Sequence, residues 1–354
     1  MSRILSLPGL IDIHVHLRDP GQTHKEDFFT GTCAALAGGV TTVFDMPNNV
    51  VPIFTKVALE EKMEIARQKA VCDWGLYFGT DGKNTHEFQY VANKVAGLKV
   101  YLTSTTGNYF VEDVHLLKNI FATWPKIKPI VVHAEGEKIN LACKLALRFK
   151  KKIHVTHIAT REALENVLLG RKKGLDVTCD VTPHHLFLTD AYAKKYQNLA
   201  TVKPPLGSQK DVDYLWDHLS DIDCIATDHA PHTQEEKKSK NSPFGMPGLE
   251  IMLPLLMTAV YEKRLYIEDI IRMTNTNPRR IFGIGQDPNT YTEIDSEEDY
   301  TIGESSYFTK CGWSPFEGKR VFGKVKNVFI AGRKVYSEGT VLVSAGFGKN
   351  HFFG

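Results

Sequence analysis

A chain of 354 residues with 42% hydrophobic and 24% charged residues has the makeup of a folded globular protein with material for a large core. Its formal net charge of +2 gives no overall pull toward nucleic acid or an anionic membrane surface. The six cysteines (33, 72, 143, 179, 224 and 311) form no CxxC pair, and no apolar run approaches the ~18–20 residues of a membrane span, so the chain reads as a reduced, soluble, cytoplasmic protein with neither a disulfide framework nor a signal peptide.

The first clear element is the apolar run GLIDIHVHL (9–17), which carries two histidines at i and i+2. Alternate residues of a strand point the same way, so Asp12, His14, His16 and Arg18 are expected on one face and Ile11, Ile13, Val15 and Leu17 on the other. A face with two imidazoles must hydrogen-bond, titrate or hold a metal. A helical stretch KEDFFTGTCAALAGG follows and closes on glycines, then strand GVTTVFDM (39–46), helix TKVALEEKMEIARQKA and strands DWGLYFG (73–79) and GLKVYL (97–102). Next come strand PIVVHAE (129–135), helix EKINLACKLALRFKKK, strand KIHVTHIA (152–159), helix TREALENVLLGRKKG and strands LDVTCDVT (175–182) and DCIATDHA (223–230). Basic residues late in these helices suit the dipole, and glycine suits the cap.

Eight strands alternating with helices predict an α/β fold, a (β/α)8 TIM barrel over 9–285. An open doubly wound sheet would carry a phosphate-binding glycine fingerprint after its first strand, and HVHLRDPG is not one. Beyond 285 the texture turns acidic and then hairpin-like, with strands 322–330 and 333–337. Residues 286–354 are therefore read as a small β appendage, with 1–8 as its further strand.

The unusual polar residues gather at the C-terminal ends of the predicted strands. These are His14 and His16, Lys99, His133, His157, the pair in TPHH, and Asp228, His229 and His232. That end of a barrel is where active sites are built. One buried histidine is most often a satisfied core imidazole, but several imidazoles and a carboxylate converging on one mouth predict a metal site. Imidazole and carboxylate without thiolate suit Zn²⁺, with Mn²⁺, Co²⁺ or Fe²⁺ as substitutes. Lys99, inside an apolar strand, has three readings: an ion pair with Asp228, an outward snorkelling chain, or a neutral amine that adds CO2 to give an anionic carbamate ligand.

In order along the chain, GLIDIHVHLRDPG, MPN, GLKVYL, VVHAE, VTHIA, TPHHL, ATDHAPH and NPRRIFG resemble the motifs of the amidohydrolase superfamily, and more narrowly of dihydroorotases. THKEDF, the EEK after DHAPHT and the WSPFEG segment resemble the dihydroorotase domain of the animal-type multifunctional pyrimidine-biosynthesis protein. The resemblance runs from about residue 7 to the C-terminal hairpin. It implies a metal-dependent hydrolase that reversibly closes N-carbamoyl-L-aspartate to L-dihydroorotate, working as a homodimer or within a multifunctional polypeptide, with no nucleic-acid or membrane partner. It implies two Zn²⁺ ions, one held by His14, His16 and Asp228 and one by His133 and His157, with carboxylated Lys99 bridging them. Asp228 would also be the general acid/base, and Arg18, Asn48 and His232 would bind the substrate carboxylate. Thr105 and Thr106 fall in the family's substrate-covering loop, here 102–110, although Thr106 stands where an aromatic is expected.

There are other departures. Lys203 replaces an expected Arg, and Thr156 and Asp180 stand where some relatives hold a third zinc through Cys and Glu, which argues against a third metal here. Two rivals remain at this level: another cyclic amidase (dihydropyrimidinase, hydantoinase or allantoinase), and a catalytically dead scaffold, against which stands the filling of every ligand position.

Overall fold

A computed structural model describes residues 3–105 and 109–352. Strand β1 (Ile4–Pro8) belongs to an outer sheet, and β2 (Leu10–Val15) opens the barrel. The next barrel strands are β3 (Val40–Asp45), β4 (Asp73–Leu76) with β5 (Phe78–Gly79), β6 (Leu98–Tyr101) and β7 (Ile130–His133). The barrel is completed by β8 (Ile153–Val155), β9 (Val177–Val181) and β10 (Cys224–Ile225). All eight predicted strand positions are filled. The third is interrupted at Tyr77, whose N–H donates to Asp45 O while Phe78 N–H donates to Gly97 O, so pairing passes from β3 to β6 across the break.

Parallel pairing runs β2-β3-β4 and β5-β6-β7-β8-β9-β10. The ring closes where Val15 meets His229 in a parallel bridge and His16 N–H donates to His229 O at 2.8 Å. The strands are buried almost throughout, as expected for a parallel sheet covered on both faces. The helices between them start on side-chain caps: Asp27 for Phe28–Ala37, Thr55 for Lys56–Lys69 and Thr160 for Arg161–Lys172.

The expected alternation along β2 does not hold. Its register with β3 slips between Asp12 and Val15, which pair with Val43 and Asp45. Ile11 and Ile13 therefore pack with Phe44, Tyr77, Val131 and Ala226 beneath the strand ends, whereas Val15 and Leu17 join the layer between barrel and helices. One extra residue in a strand reverses which face each later side chain takes. The bulge thus separates Asp12 from the direction of His14 and His16.

The outer sheet is antiparallel, in the order β1-β11-β12-β13-β14, with β11 (Tyr291–Thr301), β12 (Arg320–Ile330), β13 (Arg333–Ser337) and β14 (Thr340–Val341). Gly9 joins it to the barrel, and a Cβ there would run into Thr41 and Thr290. The chain then returns to the barrel. Trp74 N–H donates to Lys349 O at 2.9 Å, His351 N–H donates to Trp74 O at 3.0 Å, and Phe352 packs on Phe44. Among the described residues no helix is long and apolar enough to cross a membrane.

Candidate metal centre

The strand ends bring His14, His16 and Asp228 together, with ligand-capable atoms within 4.8 Å of one another. Asp228 Oδ1 lies 3.0 Å from His16 Nε2 and 3.3 Å from His14 Nε2. His16 Nδ1 meets Asn48 Oδ1 at 2.7 Å, and in the tautomer with the ring proton on Nδ1 the Nε2 lone pair faces the carboxylate. The rings of His14 and His157 are 5.3 Å apart, and His157 Nε2 meets His133 Nδ1 at 2.8 Å.

Three imidazole nitrogens, His14 Nδ1, His133 Nε2 and His157 Nδ1, are buried without a hydrogen-bond partner among the described residues. Burial first, and then Lys99 or a neighbouring histidine, holds His14, His133 and His157 well below the ordinary histidine pKa. Neutral imidazoles with idle nitrogens are what a metal requires. Lys99 is fully buried and donates to Thr156 Oγ1 at 3.1 Å, so it neither snorkels nor pairs with Asp228. Burial lowers its amine to about 8, against the pull of Asp228 and Asp180.

The backbone beneath these groups is held in costly conformations. Arg18, His157 and Asp228 all have positive φ, at 63°, 42° and 46°. Each is supported by a buried neighbour. Asp180 accepts from His157 N–H at 2.7 Å and pairs with His154 Nε2 at 2.8 Å, so it is occupied in positioning strand β8. Asp45 accepts from Leu17 N–H at 2.6 Å and forms an ion pair with Lys62. Thr227 Oγ1 accepts from His229 N–H at 3.0 Å.

Above the histidines, His16, Arg18, Asn48, Thr105, Lys203, Asp228 and Phe244 line one small cavity. Arg18 is 5% exposed, donates from Nε to Pro231 O at 3.2 Å and faces His232 Nε2 at 3.0 Å. Among the described residues no carboxylate lies within ion-pair distance of it. His232 also touches Lys25 Nζ through Nδ1 at 3.1 Å, and burial, Arg18 and Lys25 keep it neutral. Lys203 Nζ stands 3.9 Å from Glu135. Thr106 lies outside the described residues.

The Amidohydrolase family model matches residues 5–287. The chain belongs to the amidohydrolase family. Among its relatives, the multifunctional protein CAD of Squalus acanthias is 44% identical over 98% of this amidohydrolase and 16% of its own length. The chain thus spans about a sixth of that curated relative. The dihydroorotase of Pyrococcus abyssi is 36% identical, over 95% of this chain and 84% of its own. Among solved structures, L-hydantoinase from Arthrobacter aurescens superposes with a TM-score of 0.91 at 26% identity, over 98% of this chain and 88% of that one. The inactive dihydroorotase-like domain of a Chaetomium thermophilum CAD-like multifunctional protein gives 0.83 at 26% identity, over 98% and 99%.

Several supporting residues of this amidohydrolase are not evident from its motifs. Lys62 is fully buried, donating to Met46 O at 2.8 Å and Asn49 Oδ1 at 2.7 Å. Its signal was position, a lysine on the apolar stripe Leu59, Met63, Ala66 of its helix. Glu26 is buried against His229 Nε2 at 3.3 Å, while His229 Nδ1 accepts from Gly248 N–H at 3.1 Å. His185 of TPHH is occupied by Thr182 Oγ1 and Pro204 O at 2.8 and 3.1 Å.

Proposed function

We propose that this amidohydrolase is a zinc-dependent dihydroorotase, interconverting N-carbamoyl-L-aspartate and L-dihydroorotate. His14, His16 and Asp228 would hold one metal, His133 and His157 a second, and Lys99, as a carbamate, would bridge them. The idle buried nitrogens and the facing acceptors of His16 and Asp228 fit that cargo. Bound there, the metals supply a Lewis acid for the reacting carbonyl and lower the pKa of the attacking water.

The chain's own residues do the rest. In hydrolysis Asp228 takes the proton of the attacking water as oxygen bonds to the ring carbonyl carbon. It then delivers that proton to the ring nitrogen as the carbon–nitrogen bond breaks. In ring closure it removes the proton from the ureido nitrogen, which attacks the carboxyl carbon, and passes it to the departing carboxylate oxygen, which takes one further proton from solvent and leaves as water. Arg18, Asn48 and His232 receive the substrate's other carboxylate, and Thr105 covers the same cavity. The low exposure of Asp228 and His16 keeps these exchanges away from bulk water.

The observation that carries this reading is Arg18, a buried guanidinium with no carboxylate in ion-pair distance among the described residues, one step from the histidine–aspartate cluster. A buried cation of this kind needs an anion from outside. Hydantoin, dihydrouracil and allantoin rings lack that carboxylate, so the close superposition on L-hydantoinase reflects the shared scaffold. The filled set His14, His16, Lys99, His133, His157 and Asp228 supports activity rather than a dead scaffold.

The test is turnover in both directions with zinc stoichiometry. Ring closure consumes a proton, so carbamoyl aspartate should cyclise best at acidic pH and dihydroorotate should open best at alkaline pH, with two zinc ions per chain. Turnover of hydantoin, dihydrouracil or allantoin with none of dihydroorotate overturns the substrate. Freshly purified protein without zinc overturns the metal centre.

A further inference from the structure

Lys237 sits in the short helix Gln234–Lys238, and its side chain is fully buried. It has no carboxylate partner among the described residues. Its three N–H bonds go instead to three main-chain carbonyls: Thr201 O at 2.9 Å, Pro243 O at 2.9 Å and Gly245 O at 3.0 Å. An ammonium is the side-chain group with three donors diverging from one atom, so it can gather three acceptors that a planar guanidinium or a single amide cannot.

The two segments tied together are walls of the cavity. Thr201 leads into Lys203, and Pro243–Gly245 carries Phe244 and Gly245, all three of which line it. A main-chain bond from Gly245 N–H to Thr201 O at 3.0 Å runs beside the lysine. Phe244 O also lies 3.0 Å from His232 Nε2, the ring that faces Arg18. The wall thus touches the His232 ring directly, and Arg18 through it. Burial, with added repulsion from Arg18, lowers the amine to about 7, a cost that an apolar side chain filling the same space would not carry.

We propose that Lys237 is a positioning residue for substrate recognition, its ammonium stapling the 201–204 and 243–245 segments so that Lys203, Phe244 and His232 present a preformed face to the substrate carboxylate. This rests on the dihydroorotase reading for the identity of the substrate. Lys237 touches neither the metal-ligating set nor the reacting bond, so its loss should fall on binding rather than on chemistry.

The experiment compares wild type with Lys237→Met and the intermediate Lys237→Gln, each as zinc-loaded full chain. KM for dihydroorotate should rise about tenfold or more in Lys237→Met, a loss of ~1.4 kcal/mol or more, and by less in Lys237→Gln, with kcat and zinc content held near wild type. Amide hydrogen exchange within 201–204 and 243–246 should quicken while the barrel strands stay protected. An unchanged KM, or kcat, zinc and global stability falling together with KM, overturns the positioning role. Unchanged exchange in both segments overturns the staple whichever ring the enzyme opens. Wild type inert toward dihydroorotate overturns the substrate assignment separately.

Discussion

The Asp12 carboxylate and Thr227 join the first and last barrel strands. Thr227 N–H donates to the two carboxylate oxygens at 3.2 and 3.3 Å, and Thr227 Oγ1 donates to one of them at 2.5 Å. Asp12 also accepts from His14 N–H at 3.1 Å, inside the bulge. Strand β10 is only two residues long, so this side chain supplies ladder bonds that the main chain lacks beside Asp228. It links the bulge that redirects His14 to the turn that strains Asp228.

Arg18→Ala should raise KM for dihydroorotate by the equivalent of about 2–5 kcal/mol, because a buried charge pair with the substrate is lost. Arg18→Lys should recover little of this, since an ammonium lacks the two-pronged geometry. Steady-state kinetics with both variants decide it. A KM near wild type in Arg18→Ala would place the carboxylate elsewhere.

Asp228→Asn should lower kcat by about 10²–10⁴-fold in both directions, the range for a lost general acid/base. Zinc analysis of the same preparation separates proton transfer from metal loss. A defect in one direction alone would contradict a single group serving both.

Lys99→Ala should abolish activity and empty at least one metal position, since alanine offers no ligand atom where the carbamate would bridge. The intact peptide containing Lys99 should carry the mass of added CO2 in native mass spectrometry. Full activity in the variant excludes the carbamate.

Lys62→Met should cost about 3–5 kcal/mol in urea unfolding, the penalty for leaving buried Asp45 unpaired. Asp45 holds Leu17 N–H and Lys62 holds Asn49, so the variant should also weaken substrate binding through Arg18 and Asn48. Wild-type stability would show the pair to be dispensable.

Glu250 accepts from Phe308 and Thr309 N–H at 3.1 and 3.0 Å, and burial pushes it from 4.5 up to about 7. Between those values the folded chain keeps a proton that the unfolded chain releases. Its contribution to stability is therefore fully present below pH 4.5 and is lost as pH rises through 7, by at most ~1.4 kcal/mol per pH unit. Glu250→Gln should flatten that slope in chemical denaturation across the window. An identical slope in wild type and variant would refute the shift.

The barrel was legible because parallel strands buried on both faces must be short apolar runs, and helices between them must carry a stripe and caps. His14, His16, Lys99, His133, His157 and Asp228 stood out for the same reason: each interrupts an apolar run with a group that burial penalises. Local pattern also brought out the hairpin of β12 and β13, whose turn residues are adjacent in sequence.

What local pattern did not reveal depends on partners far along the chain. The bulge in β2 follows from pairing with β3 and overrules the period of two that placed Asp12 with His14. The partner of Asp12 is 215 residues away, and that of Glu26 is 203. Lys62, Lys237 and Lys25 carry no motif that marks them, yet each is buried. By itself the sequence determined which side chains could not be left bare in a core. Tertiary structure alone decided which acceptor meets each donor, because a hydrogen bond is set by distance in space and the chain constrains that distance only between near neighbours.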